Sequence, residues 1–390
     1  MSDFELKSQE NAFEDQESLF AKEDDDLPLR LEIPDRRLIT QPYDFSVRNI
    51  VDQINDKSLD VQPPFQRGYV WDDTRASSLI ESLLINIPLP VCYFAEEETG
   101  KFTVIDGHQR LYSIWRYISN LFPLQSLRTL TEFNTKSFKD LNEREQRLIT
   151  GRSIRCIVIT QESHPEIRFE VFHRLNTGAM IVTDQEIRNA IYRGDFNDLI
   201  KSLAESKRWL DVLGKKKLDK RMRDEELILR FFAVQDNYLS YQAPLRTFLN
   251  DYAETKTFKK ENGKRKRIGL SDSEKARLTE LFTSTMDKAL YVFKDHAFRA
   301  YLDDQWERPV NRALFDAVTL VVARLSDDQL ADKADEIETV LKHLFETTDF
   351  MKAISGSKAH RSSFTIRIKM FSKAMADIGL DTNIHNTFPD

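Results

Sequence analysis

Val104-Ile-Asp-Gly-His-Gln-Arg110 sets an acid, a glycine, an imidazole, an amide and a guanidinium behind a run that reads as a buried strand. Gly107 at a strand-to-helix turn permits close backbone approach. The helix that follows offers first-turn N–H groups and the positive end of its dipole. Arg110 adds a fixed cation, and Asp106 can hold a metal ion or orient the arginine. That combination suits a phosphate group. The same residues also fit a plain tight turn in which Asp106 pairs internally with Arg110. Polar side chains at His108 and Gln109 favour the site.

A second cluster is Gln62-Pro-Pro-Phe-Gln-Arg-Gly-Tyr-Val-Trp71. Pro63 and Pro64 stiffen the approach, and Gly68 lets the chain turn after Gln66 and Arg67. An arginine flanked by aromatic rings can grip a phosphate while a ring stacks on a base. By residue type, Phe65 and Trp71 suit core packing, whereas Gln66 and Arg67 suit ligand contact. A third cluster runs from Phe169 to Gly178 and on through Val182–Ala190. Asn176-Thr177-Gly178 reads as a helix C-cap turn, and Thr183 or Asp184 as the next N-cap, with Glu186 placed for a capping box on Thr183. Arg174, Asn176 and Thr177 crowd this short loop with donors.

The elements that must position these clusters alternate between strand and helix. Ser46–Ile54 has helical apolar spacing, Leu59–Pro64 is extended, and Asp72 or Asp73 can cap a helix through Ile85. Pro90–Glu98 and Lys101–Asp106 read as strands joined at Thr99-Gly100. His108–Ile118 reads as helix, Ser153–Thr160 as strand, and Pro165 opens a helix ending near Leu175. From about 183 onward apolar residues recur every three or four positions with almost no strand signal. The expectation is an α+β chain: an acidic disordered arm over 1–28, a small α/β domain over 42–182, and an all-helical domain over 183–380.

Three motifs in order, FQRxxVW, DGHQR and FxRLNTG followed by TxQEIRNA, resemble the family called domain of unknown function 262, whose hallmark is DGQQR. The resemblance runs from about 42 to 200, with a looser helical likeness to about 250. It implies a ParB/sulfiredoxin-like fold and the NTPase and sensing half of modification-dependent, antiphage restriction systems such as GmrSD. A nucleoside triphosphate and a divalent ion such as Mg2+ are the implied ligands. The implied roles fall on Asp106, Gly107, Gln109 and Arg110, with Gln66 and Arg67 opposite. The family's first Gln is His108 here; its ring can donate or accept as an amide does, but it titrates near neutrality. Full members carry an HNH-type nuclease, in which a His activates water beside a metal. Here His296, His343, His360 and His385 stand apart in the sequence, so a separately encoded nuclease subunit is expected.

Charge points to a further partner. The formal net charge is −7 over 390 residues, yet residues 1–28 carry −8 and the remainder about +1. Lys207–Arg223, with Lys215, Lys216, Lys217, Lys220 and Arg221, sums to +6. Lys256–Arg267, with Lys264, Arg265, Lys266 and Arg267, also sums to +6. Both runs are expected at helix junctions, gripping DNA phosphates without reading sequence, and the acidic arm is expected to compete for them. An apolar stretch long enough for a membrane span is missing: Ala313–Leu325 is broken by Asp316 and Arg324. No Cys/His spacing resembles a zinc site, and Cys92 and Cys156 in apolar runs fit buried thiols in a cytoplasmic protein. An oligomer is compatible with all of this.

Overall fold

The computed structural model describes residues 37–61, 69–97, 99–175, 183–219, 221–261, 264–355 and 360–388. The acidic arm lies outside them. The chain divides into two compact units, Arg30–Ile191 and Tyr192–Asp390.

The first unit is built on a five-stranded mixed sheet. Its strands are β1 (Thr40–Ser46), β2 (Leu59–Asp60), β3 (Cys92–Glu96), β4 (Phe102–Asp106) and β5 (Ser153–Ile159), in the order β1-β5-β3-β4-β2. The β1/β5 and β3/β4 pairs are antiparallel, and β3/β5 and β2/β4 parallel. Helices α1 (Val47–Asn55), α2 (Asp73–Leu84), α3 (His108–Ile118), α4 (Glu143–Thr150), α5 (Pro165–Leu175) and α6 (Asp184–Ile191) complete it. Local chemistry sets several boundaries. Ser46 caps α1 and Asp72 caps α2, each side chain accepting a first-turn N–H. Phe94, Val104, Cys156 and Val158 from the sheet bury against Ile50, Ile80, Leu111 and Ile114 from the helices. Strand β1 was not read from the sequence. It is an exposed edge strand with Pro42 inside it, so it lacks the apolar alternation of a half-buried strand.

The second unit is helical: α7 (Asp195–Ala204), α8 (Lys207–Leu213), α9 (Arg223–Asn237), α10 (Leu245–Thr257), α11 (Asp272–Phe293), α12 (Arg312–Val322), α13 (Asp327–Phe345), α14 (Thr348–Ser355) and α15 (Arg361–Asp377). Trp209, Phe231, Phe282 and Phe315 form edge-to-face pairs at its centre. Asp316, which interrupts the apolar run of α12, is 1% exposed. It accepts from Arg230 of α9 at 2.5 and 2.7 Å and from Arg367 of α15 at 2.8 Å, pinning three helices.

Two departures from the sequence reading concern this unit. It contains two short antiparallel ribbons, β6 (Phe258–Glu261) with β7 (Lys264–Arg267), and β8 (Tyr301–Leu302) with β9 (Gln305–Trp306). The second basic run lies between α10 and α11, as expected of a helix junction, but it is largely a ribbon and not a loop. Its lysines and arginines carry no apolar alternation, so backbone pairing rather than burial makes it a strand. Helix α6, expected to open the helical domain, instead packs on α5 and belongs to the first unit.

Candidate functional site

The DGHQR segment lies where β4 meets α3. A register shift between β3 and β4 falls beside it: Tyr93 faces Asp106, while Phe94 faces Val104. Such an irregularity re-aims the strand end. Gly107 then turns the chain with φ +102°, a left-handed conformation that side chains strain to adopt. A Cβ at this position would stand 2.5 Å from Cys92 Sγ, so the backbone lies directly on the β3 cysteine. Cys92 is the register partner of Cys156, and both are buried. Hydrogen bonding to Cys92, together with burial, pushes the Cys156 thiol up, so it packs as a small neutral group. Gly107 brings no capping side chain, leaving the first-turn N–H groups of α3 without a side-chain cap.

Each remaining residue of the motif has a defined partner. Arg110 Nη2 donates to Asp106 Oδ2 at 2.9 Å and to the Val91 carbonyl at 3.3 Å, and Nη1 donates to the Pro90 carbonyl. The internal Asp106–Arg110 pair is thus formed. The arginine side chain is 13% exposed and the aspartate 43%, so the carboxylate is the more open member. His108 Nδ1 is hydrogen-bonded to the Val61 carbonyl. Its Nε2 is buried without a hydrogen-bond partner among the described residues, and burial pushes the imidazole below its ordinary pKa. Gln109 Oε1 accepts from the backbone N–H of Val70 at 3.0 Å and of Trp71 at 3.3 Å.

These bonds join two sequence clusters. His108 holds residue 61 and Gln109 holds residues 70 and 71, so neighbouring motif residues grip both flanks of the segment that carries Gln66 and Arg67. Gln66 and Arg67 lie outside the described residues. The far flank is further fixed. Tyr69 OH meets Ser113 Oγ at 2.9 Å, Arg116 sits 4.7 Å over the Tyr69 ring, and Trp71 packs against the core as expected.

The third cluster is only partly brought in. Arg174 is exposed at the end of α5 and donates to Glu170 at 2.7 Å, one turn earlier. Asn176 and Thr177 lie outside the described residues. The expected capping box is present: Glu186 N–H donates to Thr183 Oγ1 at 3.3 Å, and Thr183 N–H donates to Glu186 Oε2 at 2.5 Å. Beyond the cap, α6 buries four polar side chains: Gln185, Glu186, Arg188 and Asn189 are each 1–2% exposed. Gln185 donates to Asn189 at 3.0 Å and accepts from Arg188 at 3.3 Å; Arg188 also lies 3.8 Å from Asp184. This network was missed as a set. Its signal was QEIRN itself, four polar residues around one isoleucine in a segment read only for its cap.

Of the predicted nucleic-acid contacts, Lys216 and Lys217 are exposed, whereas Lys215 pairs with Asp224 at 2.9 Å. Lys220 lies outside the described residues. The backbone N–H of Arg221 donates to Asp219 at 2.7 Å. Lys264 and Arg265 are register positions of β7, and Lys266 and Arg267 are exposed. Among the described residues no helix is long and apolar enough to cross a membrane. The late histidines sit on separate elements: His296 stacks on Trp306, His343 is in the last turn of α13, His360 precedes α15, and His385 lies 3.7 Å from Asp381.

A search of the curated proteins finds no match to this chain. Residues 47–193 match the family model described as the GmrSD restriction endonuclease, N-terminal domain. That span opens at α1, contains β2 to β5 with the Gly107 turn, and closes just after α6. The unit that carries DGHQR is therefore similar, over that span, to the N-terminal domain of the GmrSD restriction endonuclease.

Proposed function

We propose that this chain, a component of a restriction-type defence system, binds a nucleoside triphosphate at the Gly107 turn and acts as its sensor or switch. The observation that carries this reading is the double grip of His108 and Gln109 on the flanks of the Gln66–Arg67 segment. A turn that served only to join β4 to α3 would not need to hold a second loop at both ends. In the proposed site the uncapped first turn of α3 receives phosphate oxygens, with Gln66 and Arg67 as further candidate contacts by residue type. Arg110 keeps Asp106 in place while offsetting phosphate charge. Asn176, Thr177 and Arg174 are further candidate phosphate contacts by residue type.

A divalent ion fits this donor set in one way. Among the described residues no group of three or more His, Cys, Asp or Glu is arranged to hold a metal. Asp106 would hold Mg2+ by a single carboxylate, with phosphate oxygens and water as the other ligands, as this ion commonly prefers. Hydrolysis then rests on Asp106 or Gln109 positioning metal or water. The nuclease is supplied by a separately encoded subunit in this proposal, because the late histidines are dispersed over separate elements.

The test is nucleotide binding and phosphate release across the four nucleoside triphosphates, with and without modified DNA. Arg110→Ala and Asp106→Asn should each lose binding or turnover while keeping the native circular dichroism. Unchanged affinity and unchanged phosphate release in Arg110→Ala would overturn the assignment. The second reading, a non-catalytic DNA-binding or regulatory module, is favoured by one observation: three of the five Arg110 N–H donors are already engaged by Asp106, Pro90 and Val91. Salt-dependent DNA binding that persists in Arg110→Ala, without turnover in wild type, would select it.

A further inference from the structure

We propose that the β6–β7 ribbon, Phe258–Arg267, is a contact element for double-stranded DNA. The ribbon is a two-stranded sheet of its own, paired to no other strand among the described residues. Its register sets Phe258 opposite Arg267, Lys259 opposite Lys266, Lys260 opposite Arg265 and Glu261 opposite Lys264. Residues 258–267 hold six bases and one acid, +5.

Both central pairs oppose a cation to a cation. Like charges directly across a ladder destabilise it, whereas alternating signs would stabilise it. Lysines on a free edge discourage strand–strand aggregation, but mixed signs would serve that purpose without the repulsion. The Lys259/Lys266 pair thus carries an electrostatic cost in the free protein that a polyanion removes. Glu261 relieves part of it, standing 3.4 Å from Lys259 and 3.2 Å from Lys266. These ion pairs are exposed and weak, so a phosphate can replace the carboxylate.

The root of the ribbon is built rigidly. Arg267 donates through Nη1 to the Arg193 carbonyl and lies 5.4 Å over the Phe258 ring. The Ile268 N–H donates to the Thr257 carbonyl at 2.9 Å, and Asp195 accepts from the Leu270 N–H at 3.0 Å. Cations on an anchored ribbon lose less freedom on binding than cations on a loose linker. Shape is compatible with duplex DNA, whose major groove admits a two-stranded ribbon. The choice of DNA rests on the restriction-type reading; the use of the ribbon is independent of nucleotide turnover.

The test uses the full chain and anisotropy of a labelled random-sequence duplex across a salt series. The variant Lys259→Gln/Lys260→Gln/Arg265→Gln/Lys266→Gln should bind at least about tenfold more weakly at moderate salt, with a slope of log K against log salt shallower by about 3. Lys216→Gln/Lys217→Gln is the control and should change affinity less than about twofold. Glu261→Gln alone should tighten binding about twofold to threefold, and it reads the same contact should the quadruple variant misfold. Unchanged affinity and slope in the quadruple variant, or weaker binding by Glu261→Gln, overturns the proposal. So does a preference for single-stranded RNA or polyglutamate over duplex DNA. Phosphate release without DNA, measured in parallel, reports on the nucleotide reading separately: the ribbon variants should leave it unchanged.

Discussion

The two basic runs of the helical unit have the same net charge in sequence and different settings in the fold. Within and beside Lys207–Arg223, Asp219 and Asp224 are hubs. Asp224, 2% exposed, accepts from Lys215 Nζ at 2.9 Å and from the Asp219 N–H at 2.8 Å. Asp219 in turn lies 3.7 Å from Lys215 and 3.9 Å from Arg223, and Arg208 reaches Asp287 at 2.5 Å. Lys215 and Arg223 thereby help close the turn from α8 into α9. In Lys256–Arg267, Lys256 is absorbed by Asp236 at 3.1 Å, but the ribbon has only Glu261 within its own strands. Net charge therefore does not measure what a region offers a partner; the burial and placement of its counter-charges does. The DGHQR turn repeats the contrast within five residues: Arg110 is largely buried on internal acceptors, while Asp106, though paired with it, is the more exposed partner.

Experiments on either side of the contrast can break it. The largest effect is expected from Asp224→Asn, which weakens the Lys215 pair and the Asp219 hold. It should cost about 2 kcal/mol in urea unfolding and leave duplex affinity nearly unchanged. If DNA binding collapsed while stability held, the hub assignment would be wrong. Next in size is the loss of at least about tenfold in duplex affinity for the neutralised ribbon, set against less than about twofold for Lys216→Gln/Lys217→Gln; equal losses would erase the distinction. Deleting residues 1–28 should strengthen duplex binding several-fold at low salt, and the gain should vanish as salt screens the arm's charge. No change at low salt would mark the arm as a solubility element.

The smallest effect concerns His108, where burial depresses the imidazole pKa below its ordinary 6.5. The neutral ring is the native form, so its contribution is complete above pH 6.5 and is lost as pH falls through the depressed folded value. Wild type should therefore lose stability relative to His108→Gln between pH 7 and 5, read as a widening gap in thermal midpoints. A constant gap would show that the ring does not titrate between the two states.

Legibility differed between regions for physical reasons. The β3–β4 pair, the α3 start at His108, the α5 start at Pro165 and the Thr183–Glu186 box follow from local rules of alternation, capping and proline placement. They could be read without knowing what packs on them. Strand β1 and the basic ribbon could not, since neither has a buried face to impose a period of two on its sequence. In the site, the residue types at Asp106 to Arg110 were visible, and the Asp106–Arg110 pair was one of two readings left open. That His108 and Gln109 would reach residues 61, 70 and 71 was not visible, because those partners come from a different element.

By itself the sequence determined the α/β-then-helical order, the resemblance carried by DGHQR and its neighbours, the glycine that the turn requires, and the acidic arm's dominance of the net charge. These are set by neighbours within one helical turn or one strand pair. Tertiary structure alone decided which charges are consumed. Asp316 interrupts an apolar helix, yet it accepts from arginines 86 and 51 residues away. Asp224 engages Lys215 of one basic run, while the other stands as a ribbon of opposed cations. An ion pair depends on distance and burial, and for residues far apart in the chain both are fixed only when the fold brings them together.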